Sequence, residues 1–290
     1  MSLIDLTDPT AVADALSAGA DANRDAPCRH ASIDLIEAPG RLIATGDLHD
    51  NPVHLATLIQ RAALDSATPA HLTLHEIIHS DRLINRMDFS FRALTRVARL
   101  KADHPDHVHT LLANHELAQI IGQGIVKDGL RVVEAFNQGV QYAFGNDAEL
   151  VQDAIARFIR SMPLALRCTT PAGDILCAHS LPAPALMQRF DPDVLERELT
   201  DDDYQPRRGA AHLMVWGRGY DAELLEKLAE RWGVALFILG HEHAPGGALL
   251  VEPNAIVLNS DHDRGVSLPI DLNHPPTLAQ ALASVVPLAG

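Results

Sequence analysis

The side chains that could carry chemistry are gathered in five short polar clusters, each following a strand-like run. In chain order they are GDLHD (46–50), HEIIHSDR (75–82), ANHE (113–116), CAHS (177–180) and GHEH (240–243). The preceding runs RLIAT, HLTL, VHTLL, DILC and ALFIL are hydrophobic. Sites in α/β proteins form beyond the carboxyl ends of the sheet strands. Asp, Glu, His and Asn at such positions match the ligand set of a two-metal hydrolytic centre, so the pattern predicts one.

Spacing within the clusters supports metal binding. Asp47 and His49 are two residues apart, and on an extended chain such side chains point the same way and can meet on one cation. A polar turn with Asp47 capping the next helix is the alternative. His241 and His243 repeat this spacing after a buried strand, which favours a metal site. For His179 the alternative is a half-buried histidine satisfied by hydrogen bonds.

The ANHE cluster combines a neutral ligand with an acid–base group. The side-chain oxygen of Asn114 can bind a metal without adding charge, and His115 can then stand over a substrate as a proton donor. Alternatively, Asn114 caps a helix whose first turn contains Glu116. Each cluster alone leaves both interpretations open. Five of them at strand ends favour a functional site.

Composition excludes some function classes. The 290 residues carry a net charge of −15, which argues against binding to nucleic acid or to an anionic membrane. Three cysteines without a CxxC spacing suit a reducing cytosol. The N-terminus lacks the features of a signal peptide, and no apolar stretch reaches membrane-spanning length. We therefore expect a cytoplasmic protein.

Hydrophobic periodicity predicts an α/β fold. The pattern indicates a helix over 9–19, a polar loop over 20–30, strands over 32–38 and 41–46 around a Pro-Gly turn, a helix over 52–64, a strand over 71–74, a helix over 88–101 and a strand over 107–112. This β-α-β-α-β order is typical of a buried parallel sheet. Residues 117–162 look wholly helical, and strand patterns return from 163. We expect one catalytic domain over 31–272 with a helical insertion at about 117–162, an N-terminal helix and linker over 1–30, and a C-terminal tail over 273–290.

Taken together, the clusters resemble the motifs of the calcineurin-like metallophosphoesterases, which run GDxHG/N, GDxxDR, GNHE, a VHxG-type histidine and GHxH. KADHPDHVHTLLANHE (101–116) is similar to a segment of the phosphoprotein (Ser/Thr) phosphatase branch, as is VWGR (215–218). The resemblance covers about residues 40–260 and is strongest in the first, third and fifth clusters. It implies a four-layer α-β-β-α sandwich.

The resemblance also implies roles for individual residues. Two divalent ions (Mn, Fe or Zn) would be held by Asp47, His49 and His243 on one side and by Asn114, His179 and His241 on the other, with a bridging carboxylate from the second cluster. Such ions, about 3.5–4 Å apart, activate a water that attacks phosphorus in line. His115 would protonate the leaving oxygen, and Glu116 or a nearby carboxylate would orient it. Arg82 and Arg218 would clamp the phosphate, with surface solvation as their alternative role.

The second cluster departs most from the family motif, which places Gly-Asp-x-x-Asp-Arg where this chain has HEIIHSDR. Glu76 is favoured as the bridging ligand because it lies two residues past HLTL. Asp81 is the rival because it directly precedes Arg82. His75 and His79 could also join the ligands or contact them.

These observations favour a phosphomonoesterase of the Ser/Thr protein phosphatase type, acting on a phosphoprotein or a small phosphoester. A phosphodiesterase or nucleotide hydrolase is the first alternative, which the two histidines of GHEH favour slightly. A metal-binding scaffold with weak catalysis is the second. The chain contains neither GxGxxG nor GxxxxGK to suggest another phosphate-binding function.

Overall fold

The computed structural model describes residues 4–127 and 129–289. Its helices are α1 (Pro9–Asp25), α2 (Pro52–Ala62), α3 (Phe91–Asp103), α4 (Asn114–Ile121), α5 (Val132–Phe144), α6 (Ala148–Ser161), α7 (Ala210–Val215), α8 (Ala222–Trp232) and α9 (Leu278–Ala283). Its strands are β1 (Arg29–His30), β2 (Ile33–Glu37), β3 (Arg41–Thr45), β4 (His71–Leu74), β5 (Val108–Thr110), β6 (Val126–Lys127), β7 (Leu130–Arg131), β8 (Ala165–Thr169), β9 (Asp174–Ala178), β10 (Val234–Leu239), β11 (Ala248–Val251), β12 (Ala255–Leu258), β13 (Val266–Asp271) and β14 (Val286–Pro287).

Two large sheets form the centre of the fold. In the described residues one has the order β1-β2-β8-β9-β10-β12-β11 and the other the order β14-β13-β3-β4-β5. A buried apolar cluster fills the space between them, with Leu42 and Leu268 from one sheet and Leu166 and Ile238 from the other. Helices α2 and α3 pack on the five-stranded sheet and α8 packs on the seven-stranded sheet. The predicted α-β-β-α sandwich is therefore confirmed.

Local sequence accounts for the elements that lead into the site. Strands β3, β4 and β5 pair in parallel, as the β-α-β-α-β pattern predicts, and their inner residues are buried. Helix α2 begins where expected because the side chain of Asn51 accepts a hydrogen bond from the His54 N–H and Pro52 stands in the first turn. Because these strands are parallel, the residues that follow their carboxyl ends lie together at one edge of the sheet.

Several predicted boundaries were wrong. Helix α1 continues to Asp25 through the predicted loop, because Ala20 and Asn23 extend the buried face of Leu16 against α3 and α6. The strands around the Pro-Gly turn do not pair with each other: β2 pairs with β8 in one sheet, and β3 with β4 in the other. Residues 117–162 are not wholly helical, since β6 and β7 form a hairpin between α4 and α5.

The end of the chain also packs on the sandwich. Within 273–289, α9 packs near β11 and β12, and β14 extends the five-stranded sheet by pairing with β13. The segment 184–205 contains only short 3₁₀ turns. No helix among residues 4–127 and 129–289 is long and apolar enough to cross a bilayer.

Candidate metal centre

Potential ligands from separate chain segments converge beyond the carboxyl ends of β3, β4, β9 and β10 and at the start of α4. They form three overlapping groups whose nitrogen or oxygen atoms all lie within 4.8 Å of one another: Asp47 with His75 and His179, His49 with Glu76 and His115, and Glu76 with His179 and His241. Nearly all of these side chains are buried. The predicted strand-end site is therefore present as a geometric cluster.

Glu76 belongs to two of these groups, the one with His49 and His115 and the one with His179 and His241. Its Oε1 is 3.4 Å from His49 Nε2 and 3.7 Å from His115 Nε2, and its Oε2 is 3.4 Å from His179 Nε2. Each carboxylate oxygen thus faces a different set of imidazoles. Asp81, the rival bridging residue, is exposed outside these groups.

Hydrogen bonds orient two of the imidazoles toward the cluster. Nδ1 of His49 is 3.1 Å from the carbonyl oxygen of Ile78, and Nε2 of His75 is 3.0 Å from the carbonyl oxygen of Thr45. Because a carbonyl can only accept, these nitrogens carry the protons. The lone pairs of His49 Nε2 and His75 Nδ1 then face the cluster, as they do in metal-binding histidines held by a backbone carbonyl.

Asp47 is held rigidly where two chain segments approach closely. The backbone N–H of His241 donates to both of its carboxylate oxygens at 3.0 Å. A Cβ on Gly240 would lie 2.3 Å from Asp47 Oδ1 and 2.6 Å from His75 Cε1, so only glycine fits there. Burial raises the pKa of Asp47, but the hydrogen bond and charge of His179, with the charges of His75 and His49, outweigh it and hold this pKa below its ordinary value.

The backbone turns sharply at three of these residues. His49, Glu76 and His241 have φ values of +43°, +50° and +66°, in the left-handed region that non-glycine residues rarely adopt. Such conformations cost about 1–3 kcal/mol each and are concentrated at functional sites, where the surroundings hold them.

The donor set fits divalent metal ions. Burial lowers the pKa of His75 to about 4 and lowers that of His241 well below its ordinary value, which keeps both imidazoles in the neutral form that binds metal. His241 Nε2 is buried and has no hydrogen-bond partner among the described residues. Asn114 Oδ1 lies 2.7 Å from His179 Nε2, which adds an amide oxygen. Imidazole, carboxylate and amide donors together suit Mn, Fe or Zn.

One predicted ligand lies elsewhere. His243 is exposed and outside the three groups, with its ring 6.5 Å from that of His262, and His75 stands in the cluster instead. Asp47 and His49, expected to meet on one cation, belong to different groups. The rule that residues i and i+2 share a face fails at the left-handed turns of His49 and His241. His75 could have been favoured from its position directly after HLTL.

The two residues predicted to act in proton transfer have different surroundings. His115 is in the cluster, and its Nδ1 lies 3.0 Å from Nδ1 of His79. Glu116 is fully buried and accepts hydrogen bonds from the backbone N–H groups of Ile77 and Ile78 at 2.6 and 3.2 Å. Burial raises its pKa to about 7. Glu116 therefore braces the loop after Glu76, and its predicted role in orienting His115 stays a prediction.

The two predicted phosphate clamps are both exposed. Nη2 of Arg218 lies 3.3 Å from His241 Nδ1, which places this guanidinium at the mouth of the cluster. Arg82 instead pairs with Asp50, whose Oδ2 is 3.4 Å from its Nη2. The geometry favours Arg218 over Arg82 for contact with a ligand at the cluster.

A strand-end cluster of carboxylates and imidazoles on a two-sheet sandwich is the arrangement expected of a metal-dependent hydrolase. Residues 40–245 match the family model of the calcineurin-like phosphoesterases, and the chain belongs to this family. It is accordingly a phosphoester-hydrolysing enzyme of the metallophosphoesterase type.

Solved structures share the fold at low sequence identity. A serine/threonine phosphatase from Saccharomyces cerevisiae with similarity to human phosphatase PP5 is 15% identical, with a TM-score of 0.67 over 91% of this chain and 83% of that one. A cold-active protein-tyrosine phosphatase from a psychrophilic Shewanella species is 13% identical, with a TM-score of 0.56 over 87% and 80% of the two chains. No curated protein matches the sequence.

Proposed function

We propose that this protein is a phosphomonoesterase of the Ser/Thr protein phosphatase type that acts on a phosphoprotein or a small phosphoester. The observation that carries the proposal is the position of Glu76, whose two oxygens face different imidazole groups and could be shared by two ions. The residues that would hold the two divalent ions are Asp47, His49, His75, Glu76, Asn114, His179 and His241. The free cysteines are compatible with the predicted cytosolic location.

The chain's own groups have distinct tasks in this reaction. The bound ions would supply an activated water and neutralise charge on the phosphate. Nε2 of His115 faces the same space as Oε1 of Glu76, so it is placed to give a proton to the leaving ester oxygen. The guanidinium of Arg218 is placed to bind phosphate oxygens as they gain charge. Glu116 holds the loop that carries Glu76.

A phosphodiesterase or nucleotide hydrolase is the weaker candidate. It was favoured by the His241–His243 pair, and His243 lies exposed outside the cluster. A scaffold with weak catalysis was suggested by the unusual second cluster of the sequence. The position of Glu76 among the imidazoles supports a complete centre instead.

The experiment compares an aryl phosphate monoester with the corresponding diester in the presence of Mn²⁺. We expect faster hydrolysis of the monoester and, in Asn114→Ala, a loss of rate on the order of 100-fold. Asn273→Ala, a change at an exposed residue, is the matched control and should retain the wild-type rate. Equal rates in Asn114→Ala and wild type, or a preference for the diester, would contradict the proposal.

A further inference from the structure

A row of polar side chains lies behind His115. We propose that His79, Gln119 and Asn137 form a hydrogen-bonded relay that positions His115 and fixes which of its ring nitrogens faces the substrate. This inference rests on the proposed role of His115 in the reaction. It also assigns a task to the inserted helices, because Gln119 lies on α4 and Asn137 on α5.

The relay is continuous in distance. His115 Nδ1 is 3.0 Å from His79 Nδ1, and His79 Nε2 is 3.1 Å from Gln119 Oε1. Gln119 Nε2 is then 2.7 Å from Asn137 Oδ1. Each separation is within the range of a hydrogen bond.

The outer end of the relay sets the direction of every bond in it. The amide nitrogen of Gln119 donates to Asn137, so its Oε1 is the atom that faces His79. An amide oxygen only accepts, and His79 must therefore carry its proton on Nε2. In a neutral imidazole the other nitrogen is then an acceptor, so His79 Nδ1 receives the Nδ1–H of His115. The Nε2 of His115 is then the nitrogen that faces the leaving oxygen: the imidazolium form of His115 gives its Nε2 proton to that oxygen, and the neutral ring that remains keeps its Nδ1–H on His79.

The surroundings hold the relay in place. His79 is 1% exposed, its backbone N–H donates to Ser90 Oγ at 3.1 Å, and its ring meets that of Phe136 edge-on at 5.8 Å. Gln119 and Asn137 are half-buried and line a cleft of about 220 Å³ between the inserted helices. Glu116, the carboxylate expected to orient His115, is engaged by backbone N–H groups of the neighbouring loop. An imidazole and two amides thus stand where a carboxylate was expected.

The kinetic test removes Gln119, a relay member that does not contact the ligand cluster. Gln119→Leu should lower kcat about tenfold, leave KM within about twofold and leave metal content unchanged, because only the orientation of His115 is affected. Gln152→Leu is the matched control, since Gln152 lines the same cleft outside the relay and should keep the wild-type kcat. His79→Phe should lower kcat about 100-fold, and His79→Asn, which keeps one acceptor and one donor, should recover at least tenfold of that loss.

A second readout does not depend on turnover. In zinc-loaded protein with ¹⁵N-labelled histidine, we expect the His115 signals, assigned by their loss in His115→Gln, to show the proton on Nδ1. Gln119→Leu should shift or broaden them, and Gln152→Leu should not. A proton on Nε2 with none on Nδ1, or unchanged kcat in both Gln119→Leu and His79→Phe, would overturn the relay. If Asn114→Ala still abolished hydrolysis in that case, the proposed function would stand without it. If the wild-type protein did not hydrolyse the phosphate monoester but its His115 signals showed the proton on Nδ1, the proposed function would be refuted. The hydrogen-bonded relay would still stand in that case.

Discussion

Two histidine-rich clusters lie at opposite ends of the short strand β4. At its carboxyl end, His75 and Glu76 enter the metal centre, where Nδ1 of His75 is 3.2 Å from Nδ1 of His179. At its amino end, Nδ1 of His71 is 3.1 Å from Nε2 of His109. We call the latter group, formed by Arg29, Asp34, His71, Lys101, His107 and His109, the amino-end cluster. Both clusters bring imidazoles together, but their charges are balanced differently.

In the amino-end cluster the cations belong to the protein. Asp34 accepts hydrogen bonds from His109 Nδ1 and Arg29 Nε, both at 2.8 Å, and Lys101 is buried nearby. Burial raises the pKa of Asp34, but the hydrogen bond and charge of His109 with the charge of Arg29 outweigh it and lower this pKa overall. The hydrogen bond between Asp34 and His109 joins β2 of one sheet to β5 of the other.

This balance explains why histidine density alone does not make a metal site. The ligand atoms of Cys28, Asp34 and His109 also lie within 4.8 Å of one another. Arg29 and Lys101 act on this group electrostatically, and their positive charges oppose a divalent ion. In the candidate metal centre, the buried carboxylates of Asp47 and Glu76 face several imidazoles, and burial lowers the pKa of two of them, His75 and His241. That arrangement leaves negative charge for a cation to neutralise.

The largest expected effect tests the bridging position in the metal centre. Glu76→Gln should lower kcat by on the order of 1,000-fold and reduce bound metal from two ions to about one, because a neutral amide replaces the shared carboxylate. Steady-state kinetics and elemental analysis measure both. Asp81→Asn serves as the control, and a comparable loss there would move the bridging role to Asp81.

The next effect tests the amino-end cluster as a structural element. Asp34→Ala should lower the free energy of unfolding by about 3–5 kcal/mol, because the half-buried Arg29 and the fully buried His109 both lose the carboxylate that they contact. Urea unfolding measures the loss. The kcat of the remaining folded, metal-loaded protein should stay near wild type, and a specific loss of bound metal would show that the two clusters are not separate in function.

A smaller effect distinguishes His75 from His243. His75→Ala should weaken metal binding by about 10- to 100-fold, since its lone pair faces Asp47 and His179. His243→Ala should change the affinity by less than about twofold because the residue is exposed outside the cluster. Calorimetric titration of metal-free protein compares them, and the reverse order would restore the ligand set implied by sequence resemblance.

The last effect, the smallest when taken per pH unit, is a pH dependence of stability from the amino-end cluster. Burial, then the charges of His109 and His107, lower the pKa of His71 to about 3. As the pH falls from about 6.5 to about 3, His71 is therefore protonated in the unfolded chain but stays neutral in the native state. Stability should fall over this window by at most about 1.4 kcal/mol per pH unit from this residue. Urea midpoints should show a flatter slope in His71→Gln than in wild type, with the exposed His274→Gln unchanged from wild type.

Local sequence was sufficient to predict much of the fold and most of the side chains that converge in the candidate metal centre. Hydrophobic runs predicted β3, β4, β5 and β10, and the polar residues after them predicted a metal centre at the strand ends. Asn51 and Pro52 marked the start of α2 because capping depends only on neighbouring residues. Asp47, Glu76, Asn114 and His179 are in the cluster for the same reason, since each follows its strand closely.

Only the tertiary structure decided which neighbours these residues meet. Hydrophobic periodicity shows which face of an element is buried but not which other element covers that face. It therefore could not show that β2 and β3 belong to different sheets. Nor could it show that α1 continues because it packs on α3 and α6. The left-handed turn at His241 separates it from His243, although both follow the same strand. The contact between His79 and His115 joins residues that are distant in sequence. The same is true of the contact between His71 and His109 in the amino-end cluster. Sequence by itself determined the kinds of ligand and their strand-end positions, because these depend on local pattern. Packing decided which histidines enter the candidate metal centre, because orientation and charge balance depend on the surrounding chain.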